Sequence, residues 1–406
     1  MSAPPTRPHR VDGERVSLYS PEYTADPHRV YREMRERFGS IVPVEVAPGV
    51  PAMLVIGYRT GLRILNDQER FTSDPRAWEA TVPPDCPVLP VFRWRPNVTR
   101  LSGQAHERLR AATTAAVQSV NMHATHALVE QFAVPLINGF CETGTADLTT
   151  QYVAPLVYMV MNQLVGCPAH ISAKAAAATA SVFDGASVEE ATRVFEGALA
   201  ELVEYKRAHP GADITTALLR HPARLNDQEM LHQVLVFYGV GIDPVQALIV
   251  NALRLLFIDH RFGEQIAGGA MSTRDAIDRV LFDDPPLPNP SIVYPKQPML
   301  VDGVRLPAHQ PVIVSLAGCN DDPEIAGENH VGSRAHLAWG AGAHTCPARS
   351  LGYLIAECAI DQLLDVLPEM RLAVPAEELR WRPGPLHRTL AALPVEFPPT
   401  LPITLP

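Results

Sequence analysis

The alternation of apolar and polar positions along the chain predicts a mainly helical protein. Apolar residues recur at helical spacing, and the expected helices cover residues 26–38, 58–66, 103–120, 123–143, 148–166, 187–208, 226–259, 273–282 and 348–367. Residues 40–56 alternate around a Pro-Gly turn, which predicts a hairpin, and further strands are expected at 291–301 and 304–314. We interpret residues 1–406 as a single, mainly α domain with small β-sheets.

One apolar stretch, Met230 to Ile258, is long enough to span a bilayer. His232, Asp243 and Arg254 interrupt it, so we expect a helix buried in the core of a soluble protein. The N-terminal residues are polar and rich in proline, which does not resemble a signal peptide or an anchor. These features predict a cytoplasmic protein without a membrane partner.

Charge and cysteine usage exclude several classes of function. The net charge is −10, and no basic stripe is present, which argues against a protein that binds a nucleic acid polymer. The six cysteines lie far apart without CxxC spacing. That pattern argues against a zinc site or a disulfide framework and suits a reducing compartment.

The segment from Arg76 to Ser102 is rich in proline and tryptophan and shows no regular periodicity. A connection of this length inside a compact protein is usually functional. Its apolar side chains favour the lining of a pocket, although a proline-rich surface excursion is the alternative. The candidate lining residues are Val82, Val88, Leu89 and Phe92.

Cys346 lies in a turn that contains Gly340 and Gly342, just ahead of the helical segment that starts at Ala348. Glycine permits backbone angles and close approaches that a side chain blocks. The N-terminus of a helix favours an anion and lowers the pKa of a thiol. A single anionic sulfur presented by a loop suits axial ligation of haem iron, whereas a buried, inert cysteine is the alternative.

The run from Trp339 to Ala348 resembles the haem-binding loop of the cytochrome P450 family, usually written F-G-x-G-x-H-x-C-x-G. Trp339 replaces the Phe and Ala348 replaces the last Gly, while the other signature positions are kept. The resemblance implies the cytochrome P450 fold. It also implies haem b between the long central helix and this loop, with Cys346 as the axial thiolate ligand of the iron.

His106 and Arg110 are four residues apart and therefore share one helix face. They resemble the pair that binds the haem propionates, and the resemblance makes His344 a third donor. A solvated basic helix face is the alternative. The family usually has an Arg in the strand near residues 290–295, but this chain has none there, so Tyr294 is a candidate substitute.

The chain departs from the family at two places. The long helix usually carries an acid followed by Thr, which handle protons; here Asp243 keeps the acid and Pro244 replaces the alcohol. The usual Glu-x-x-Arg pair is replaced by Arg279 and Phe282, and its Arg partner is absent from residues 325–331. We expect this charge network to be lost as a set, with Phe282 packing apolarly instead.

The resemblance implies a monomeric haem-thiolate oxidase of natural-product biosynthesis, with Asp243 and Pro244 at the catalytic position. It would activate O2 with electrons from NAD(P)H, delivered by a reductase and a ferredoxin that docks near Arg108 and Arg349. The reaction is hydroxylation or oxidative C–C or C–N coupling of a small aromatic substrate, such as a tryptophan-containing cyclodipeptide. The alternative is a haem-binding sensor or partner protein without monooxygenase turnover. The predicted substrate-binding residues are Val82, Val88, Leu89, Phe92, Tyr238, Val240, Pro288, Ile292, Leu386 and His387.

Overall fold

Helices dominate the computed structural model, which describes residues 14–181, 187–259, 271–325 and 333–403. The helices are α1 (Pro21–Ala25), α2 (Pro27–Phe38), α3 (Tyr58–Asn66), α4 (Arg76–Glu79), α5 (Leu89–Phe92), α6 (Gly103–Gln118), α7 (Met122–Asn138), α8 (Ala154–Val165), α9 (Ala169–Ser181), α10 (Val188–Ala208), α11 (Ile214–Arg220), α12 (Asp227–Gly241), α13 (Asp243–Ile258), α14 (Thr273–Asp283), α15 (Leu316–Asn320) and α16 (Arg349–Val366). A π-helical turn at Thr149–Val153 leads into α8. Short 3₁₀ turns occupy Gly342–His344 and Ala376–Glu378.

Among the described residues, the strands form three sheets. They are β1 (Val16–Ser17), β2 (Ile41–Ala47), β3 (Val50–Val55), β4 (Phe71–Thr72), β5 (Thr145–Asp147), β6 (Ser291–Pro295), β7 (Met299–Val301), β8 (Val304–Leu306), β9 (Val312–Val314), β10 (Arg371–Leu372) and β11 (Pro394–Glu396). The largest sheet has the order β1-β2-β3-β9-β6-β4, and the others are β10-β11-β5 and β7-β8. The expected hairpin at 40–56 is β2 and β3, which pair antiparallel.

Local sequence signals place several helix ends. The side chain of Asp26 accepts a hydrogen bond from the Arg29 N–H at the start of α2, and Pro27 fills the first helical position. Helix α12 begins with a capping box in which Asn226 and Glu229 each bind the backbone of the other. These are the N-termini that the sequence predicts at 26 and 226.

The long apolar stretch is divided into two helices, which corrects the single helix expected over 226–259. Helix α12 ends at Gly241 and α13 begins at Asp243, with Pro244 in its first turn and Ile242 between them. Proline has no N–H, so the carbonyl of Val240 receives no helical hydrogen bond from it. The break leaves Val240 and Asp243 exposed while the flanking helical turns are buried.

Residues 227–258 together are long and apolar enough to cross a membrane, judged by length and composition alone. In the structure α12 packs against α8 and α10, and α13 packs against α14 and α16. Leu248, Ile249 and Leu253 of α13 are almost fully buried in the largest apolar cluster. This packing is that of a core helix.

Several helices lie where the sequence predicts none. Helices α9 and α11 follow α8 and α10, and α4 and α5 lie within the segment 76–102. Asp213 caps α11 by accepting from the Thr216 N–H, at 2.8 Å. The expectation that 76–102 lacks regular structure is therefore wrong at its two helical turns.

A different charge network lies on helix α14, next to the positions where Arg279 and Phe282 replace the usual Glu-x-x-Arg pair. Asp278, 2% exposed, accepts a hydrogen bond from the Tyr353 hydroxyl and pairs with Arg334 at 3.3 Å. Arg274 lies 4.1 Å from the Tyr353 ring centroid. Phe282 is buried, as expected. Residues 326–331, where the missing Arg was sought, lie outside the described residues.

We expect Asp278→Ala to lower the free energy of unfolding by about 1–3 kcal/mol, because it leaves the buried Tyr353 hydroxyl without an acceptor. Asp283→Ala on the same helix is the matched control. Its partner Arg279 lies one helical turn away at 2.5 Å, and both side chains are more than a third exposed, so the loss should stay below about 0.5 kcal/mol. Urea unfolding of the haem-loaded protein measures both values. Equal losses in the two variants would show that Asp278 has no special role.

Candidate functional site

Backbone hydrogen bonds close the loop that carries Cys346. The Cys346 N–H donates to the carbonyl of Trp339 at 2.8 Å, and the Gly340 N–H donates to that of Leu337 at 2.7 Å. Gly340 and Gly342 have φ angles of 70° and 66°, in the left-handed region that favours glycine. The loop therefore holds its sulfur in one place ahead of α16.

The same loop is pressed between two helices. A Cβ on Gly342 would clash with the carbonyl oxygen of Leu65 at the end of α3, so only glycine fits there. On the other side, a Cβ on Gly352 of α16 would lie 3.1 Å from the Trp339 ring. The bulky Trp339, which replaces the usual Phe, thus packs directly on the helix that follows the cysteine.

Burial changes the expected chemistry of the Cys346 thiol. Loss of solvent raises its pKa above the usual value, while the Ala348 N–H and the cations Arg110 and Arg349 act in the opposite direction. The lowered pKa expected from the helix N-terminus alone is therefore outweighed by burial. A bound metal ion deprotonates a coordinating thiol, so ligation does not need a low pKa in the unloaded site.

Basic side chains gather beside the loop. The ring centroids of His106 and His344 are 4.1 Å apart, and the guanidinium of Arg110 donates to the carbonyl of Thr345. His344 Nε2 lies 3.1 Å from Ser73 Oγ. Burial and the neighbouring cations lower the pKa of His344 to about 3. The structure thus brings His106, Arg110 and His344 together around Cys346.

Arg100 is a fourth basic residue of this group, and it is not among the site residues predicted from the sequence. It donates to the carbonyl of Val91 at 2.7 Å, and its charge helps to lower the pKa of His344. Burial raises the pKa of the Tyr294 hydroxyl, and the positive charge of Arg100 acts in the opposite direction. Two features of the sequence could have indicated Arg100. It lies only six residues before His106, and the strand near 290–295, where the family usually has an Arg, has none.

The residues of this site fit haem. Both ring nitrogens of His106 are buried and have no hydrogen-bond partner among the described residues. Among the described residues, no carboxylate forms a salt bridge with Arg100, Arg110 or His344. The two propionates of a haem would supply acceptors for the ring N–H groups and negative charge for the guanidinium groups. Cys346 lies beside the group, where an axial ligand of such a haem is needed.

The helix break lies in a separate part of the site. Asp243 is exposed and has no hydrogen bond or salt bridge with the described residues, and Pro244 follows it at half burial. Burial lowers the pKa of His387, and the negative charge of Asp243 raises it by a smaller amount. Asp243 is therefore near enough to His387 to influence its pKa.

Most of the predicted substrate-binding residues are near one another. Six of them lie in or against one apolar cluster that also contains Trp78 and Tyr294: Val82, Val88, Leu89, Phe92, Ile292 and Leu386. Phe92 is 1% exposed, and its ring lies 5.7 Å from that of Trp78. Half-buried members such as Val82 and Leu89 have surface left for a ligand.

Four predicted substrate-binding residues lie outside that cluster. Tyr238 is buried in the helical core, and its hydroxyl donates to Asn162 Oδ1 at 2.7 Å. Pro288 is buried, and its carbonyl accepts from the Leu316 N–H at 2.7 Å. Val240 is 52% exposed, and His387 is half buried.

Known proteins resemble the chain over almost its full length, although no family model matches it. It is 28% identical over 393 residues to the cytochrome P450 monooxygenase PikC of Streptomyces venezuelae, covering 93% of this chain and 92% of the relative. It is 26% identical to the 2-hydroxy-5-methyl-1-naphthoate 7-hydroxylase of Streptomyces carzinostaticus, covering 96% and 97%. The solved structure of CYP154C4 from Streptomyces sp. ATCC 11861 superposes with a TM-score of 0.85 at 24% identity, covering 95% of this chain and 98% of that one. The chain therefore belongs to the cytochrome P450 family and is a haem-thiolate oxidoreductase.

Proposed function

We propose that the chain is a single-domain oxidase of natural-product biosynthesis, with Cys346 as the axial ligand of haem b. It hydroxylates or oxidatively couples a small aromatic substrate. The observation that carries the proposal is the closed Cys346 loop beside the basic side chains of His106, Arg110 and His344. This arrangement offers one sulfur to the iron and several donors to the two propionates.

When bound, the haem supplies O2 activation by electrons from outside the protein. The residues of the chain supply position and charge. Arg110 and His344 hold the cofactor's carboxylates, and Arg100 contributes a further cation where the family's strand Arg is missing. Asp243 places an acid near the break between α12 and α13, and Pro244 excludes an alcohol from the next position.

Electrons come from NAD(P)H through a reductase and a ferredoxin, as is general for bacterial members of the family. Arg349 at the start of α16 is exposed and lies three residues after Cys346, so it is available to an acidic partner. Arg108 is less available because it is bound to Glu229 and to the carbonyl of Ala223 at 2.9 Å. The proposed docking surface therefore centres on Arg349.

The substrate is proposed to be aromatic because the half-buried apolar residues of the 76–102 segment border aromatic rings. The naphthoate hydroxylase among the relatives acts on an aromatic ring by its name. Pro244 has no hydroxyl beside Asp243, which favours a reaction that needs no oxygen insertion. Coupling of a tryptophan-containing cyclodipeptide meets both conditions, and we propose it as the substrate class to test first.

The test is a carbon monoxide difference spectrum of the reduced protein, followed by turnover with a ferredoxin, a reductase and NADPH. Candidate substrates are tryptophan-containing cyclodipeptides and hydroxynaphthoates. We expect a thiolate-type Soret band and a hydroxylated or coupled product. Absence of the band would reject Cys346 ligation, and a band with no product from either class would favour the haem-binding protein without turnover.

A further inference from the structure

The indole ring of Trp339 is held by packing and not by a hydrogen bond. Its Nε1 is buried and has no hydrogen-bond partner among the described residues. The ring rests on two consecutive residues of α16, Gly352 and Tyr353. The ring centroids of Trp339 and Tyr353 are 5.4 Å apart, and the two planes are inclined at 46°. The position of the indole therefore depends on the shape of these two residues and on how firmly they are fixed.

Gly352 leaves the space that the indole fills. It lies inside α16, where its N–H donates to the carbonyl of Ala348 at 2.9 Å, and its φ is not positive. Alanine is the better helix former at such a position, so the backbone gives no reason for a glycine. A Cβ on Gly352 would lie 3.1 Å from Cη2 and 3.6 Å from Cζ3 of Trp339. These atoms form the far end of the indole, which a phenyl ring on the same Cβ does not reach.

Tyr353 is held both at its hydroxyl and at its ring face. The hydroxyl donates a hydrogen bond to the buried carboxylate of Asp278, which also pairs with Arg334 at 3.3 Å. The guanidinium carbon of Arg274 lies 4.1 Å from the centroid of the Tyr353 ring. Asp278 and Arg274 both belong to α14. The surface on which Trp339 rests is thus anchored to a second helix.

The backbone of Trp339 is in turn joined to that of Cys346. The Cys346 N–H donates to the Trp339 carbonyl at 2.8 Å, and this bond closes the turn that presents the sulfur. A shift of the indole therefore moves the acceptor that fixes the backbone of Cys346. The contacts form one continuous path from α14 through Tyr353 and Trp339 to the cysteine.

We propose that Gly352 and Tyr353 are positioning residues for Cys346, and that Trp339 and Gly352 form a size-matched pair that determines where the sulfur lies. This role rests on the proposed ligation of haem by Cys346. Gly352 supplies the space for the indole, and Tyr353, held by Asp278, supplies the surface that keeps it there. The two positions are therefore coupled: Gly352→Ala is harmful beside the indole and harmless once Trp339→Phe has removed it.

The experiment measures the rate at which haem passes from the loaded protein to an excess of apomyoglobin. It compares the wild type, Gly352→Ala, Trp339→Phe and the double variant. We expect Gly352→Ala to release haem roughly 5- to 150-fold faster than the wild type, because the added methyl group overpacks the contact with the indole. In the Trp339→Phe background the same substitution should leave the rate unchanged or lower it, since alanine then meets no ring and favours the helix.

The midpoint potential of the haem iron separates positioning of the sulfur from a general loss of stability. We expect Gly352→Ala to shift the potential to more positive values, because a displaced thiolate gives the iron less charge. The double variant should have the potential of Trp339→Phe alone. Tyr353→Phe keeps the ring but loses its bond to Asp278, so its shift should be smaller than that of Tyr353→Ala, which removes the surface beneath the indole.

Gly197→Ala is the matched control. Gly197 lies inside α10 and is exposed, and a Cβ on it would meet no atom within 4 Å. We expect this variant to release haem at the wild-type rate and to keep the wild-type potential. The comparison removes the general effect of replacing a helical glycine by alanine.

The size-matched pair and the proposed function fail separately. A wild type without the thiolate-type band loses the proposed ligation itself. If the band is present but Gly352→Ala behaves as the wild type, or is equally harmful with and without Trp339→Phe, only the pair is rejected. If Gly352→Ala is purified without haem, the double variant decides: haem restored by Trp339→Phe supports the pair, and a double variant without haem overturns it.

Discussion

Replacing Cys346 by alanine is expected to abolish the thiolate-type Soret band of the reduced, carbon monoxide-bound protein. The sulfur lies in a loop that is closed by the hydrogen bond from the Cys346 N–H to the Trp339 carbonyl. This loop lies beside the basic side chains of His106, Arg110 and His344. A haem bound by its propionates alone has no axial thiolate, so the loss of the band should be complete. The fold should persist, because the loop keeps its glycines and its contact with α3.

Two other thiols of the chain are not placed to substitute. Cys319 is buried, with its sulfur 3.5 Å from the carbonyl oxygen of Gly57, and Cys358 is buried in α16. Cys167→Ala is the matched control. The Cys167 thiol is half buried, like that of Cys346, but it packs against the helical core instead of lying in the Cys346 loop. We expect its spectrum to match that of the wild type. A thiolate-type band in Cys346→Ala would assign the ligand to another cysteine.

The sequence predicts best those parts of the molecule whose signals are local. The hairpin at 40–56 and the start of α12 at Asn226 follow from turn and capping residues within a few positions. The turn around Cys346 is likewise specified by Gly340 and Gly342. Such elements depend little on the rest of the chain, so a single sequence is enough to find them.

Other features depend on contacts between distant residues, and a single sequence does not predict them. Asp278 and Tyr353 are 75 positions apart, and their hydrogen bond exists only after α14 and α16 pack together. Arg100 joins the basic group through the folded position of the 76–102 segment. Helix α9 is rich in alanine and has no clear apolar stripe, so periodicity gives no signal for it.

The break at Ile242 shows an intermediate case. Pro244 indicates a disturbed helix, but a proline in an apolar run is compatible with a kink or with two helices. The structure has two helices, and Gly241 permits the close approach of Met161, whose Cε would lie 2.9 Å from a Cβ at that position. Helix α8 thus packs closely against the break through Met161, in addition to the effect of the proline on the helical hydrogen bonds.

Gly342→Ala is expected to destabilise the haem site strongly, whereas Gly340→Ala should have a smaller effect. Both glycines have positive φ, which costs an alanine about 1–2 kcal/mol. Only at Gly342 does the added Cβ clash with a backbone carbonyl, that of Leu65, and overpacking of this kind costs about 1–3 kcal/mol more. At Gly340 the nearest atom, the His344 carbonyl oxygen, is 3.6 Å away, which is an ordinary contact.

The clash should push the Cys346 loop away from α3, because the Leu65 carbonyl belongs to a helix end that is fixed by its own packing. We therefore expect Gly342→Ala to lower the free energy of unfolding by about 2–5 kcal/mol and to reduce the fraction of protein purified with haem. Gly340→Ala should lose about 1–2 kcal/mol and keep the wild-type haem content. Urea unfolding together with the ratio of Soret to protein absorbance measures both effects. If the two variants behave alike, the positive φ alone limits these positions, and the contact between the loop and α3 does not hold the sulfur in place.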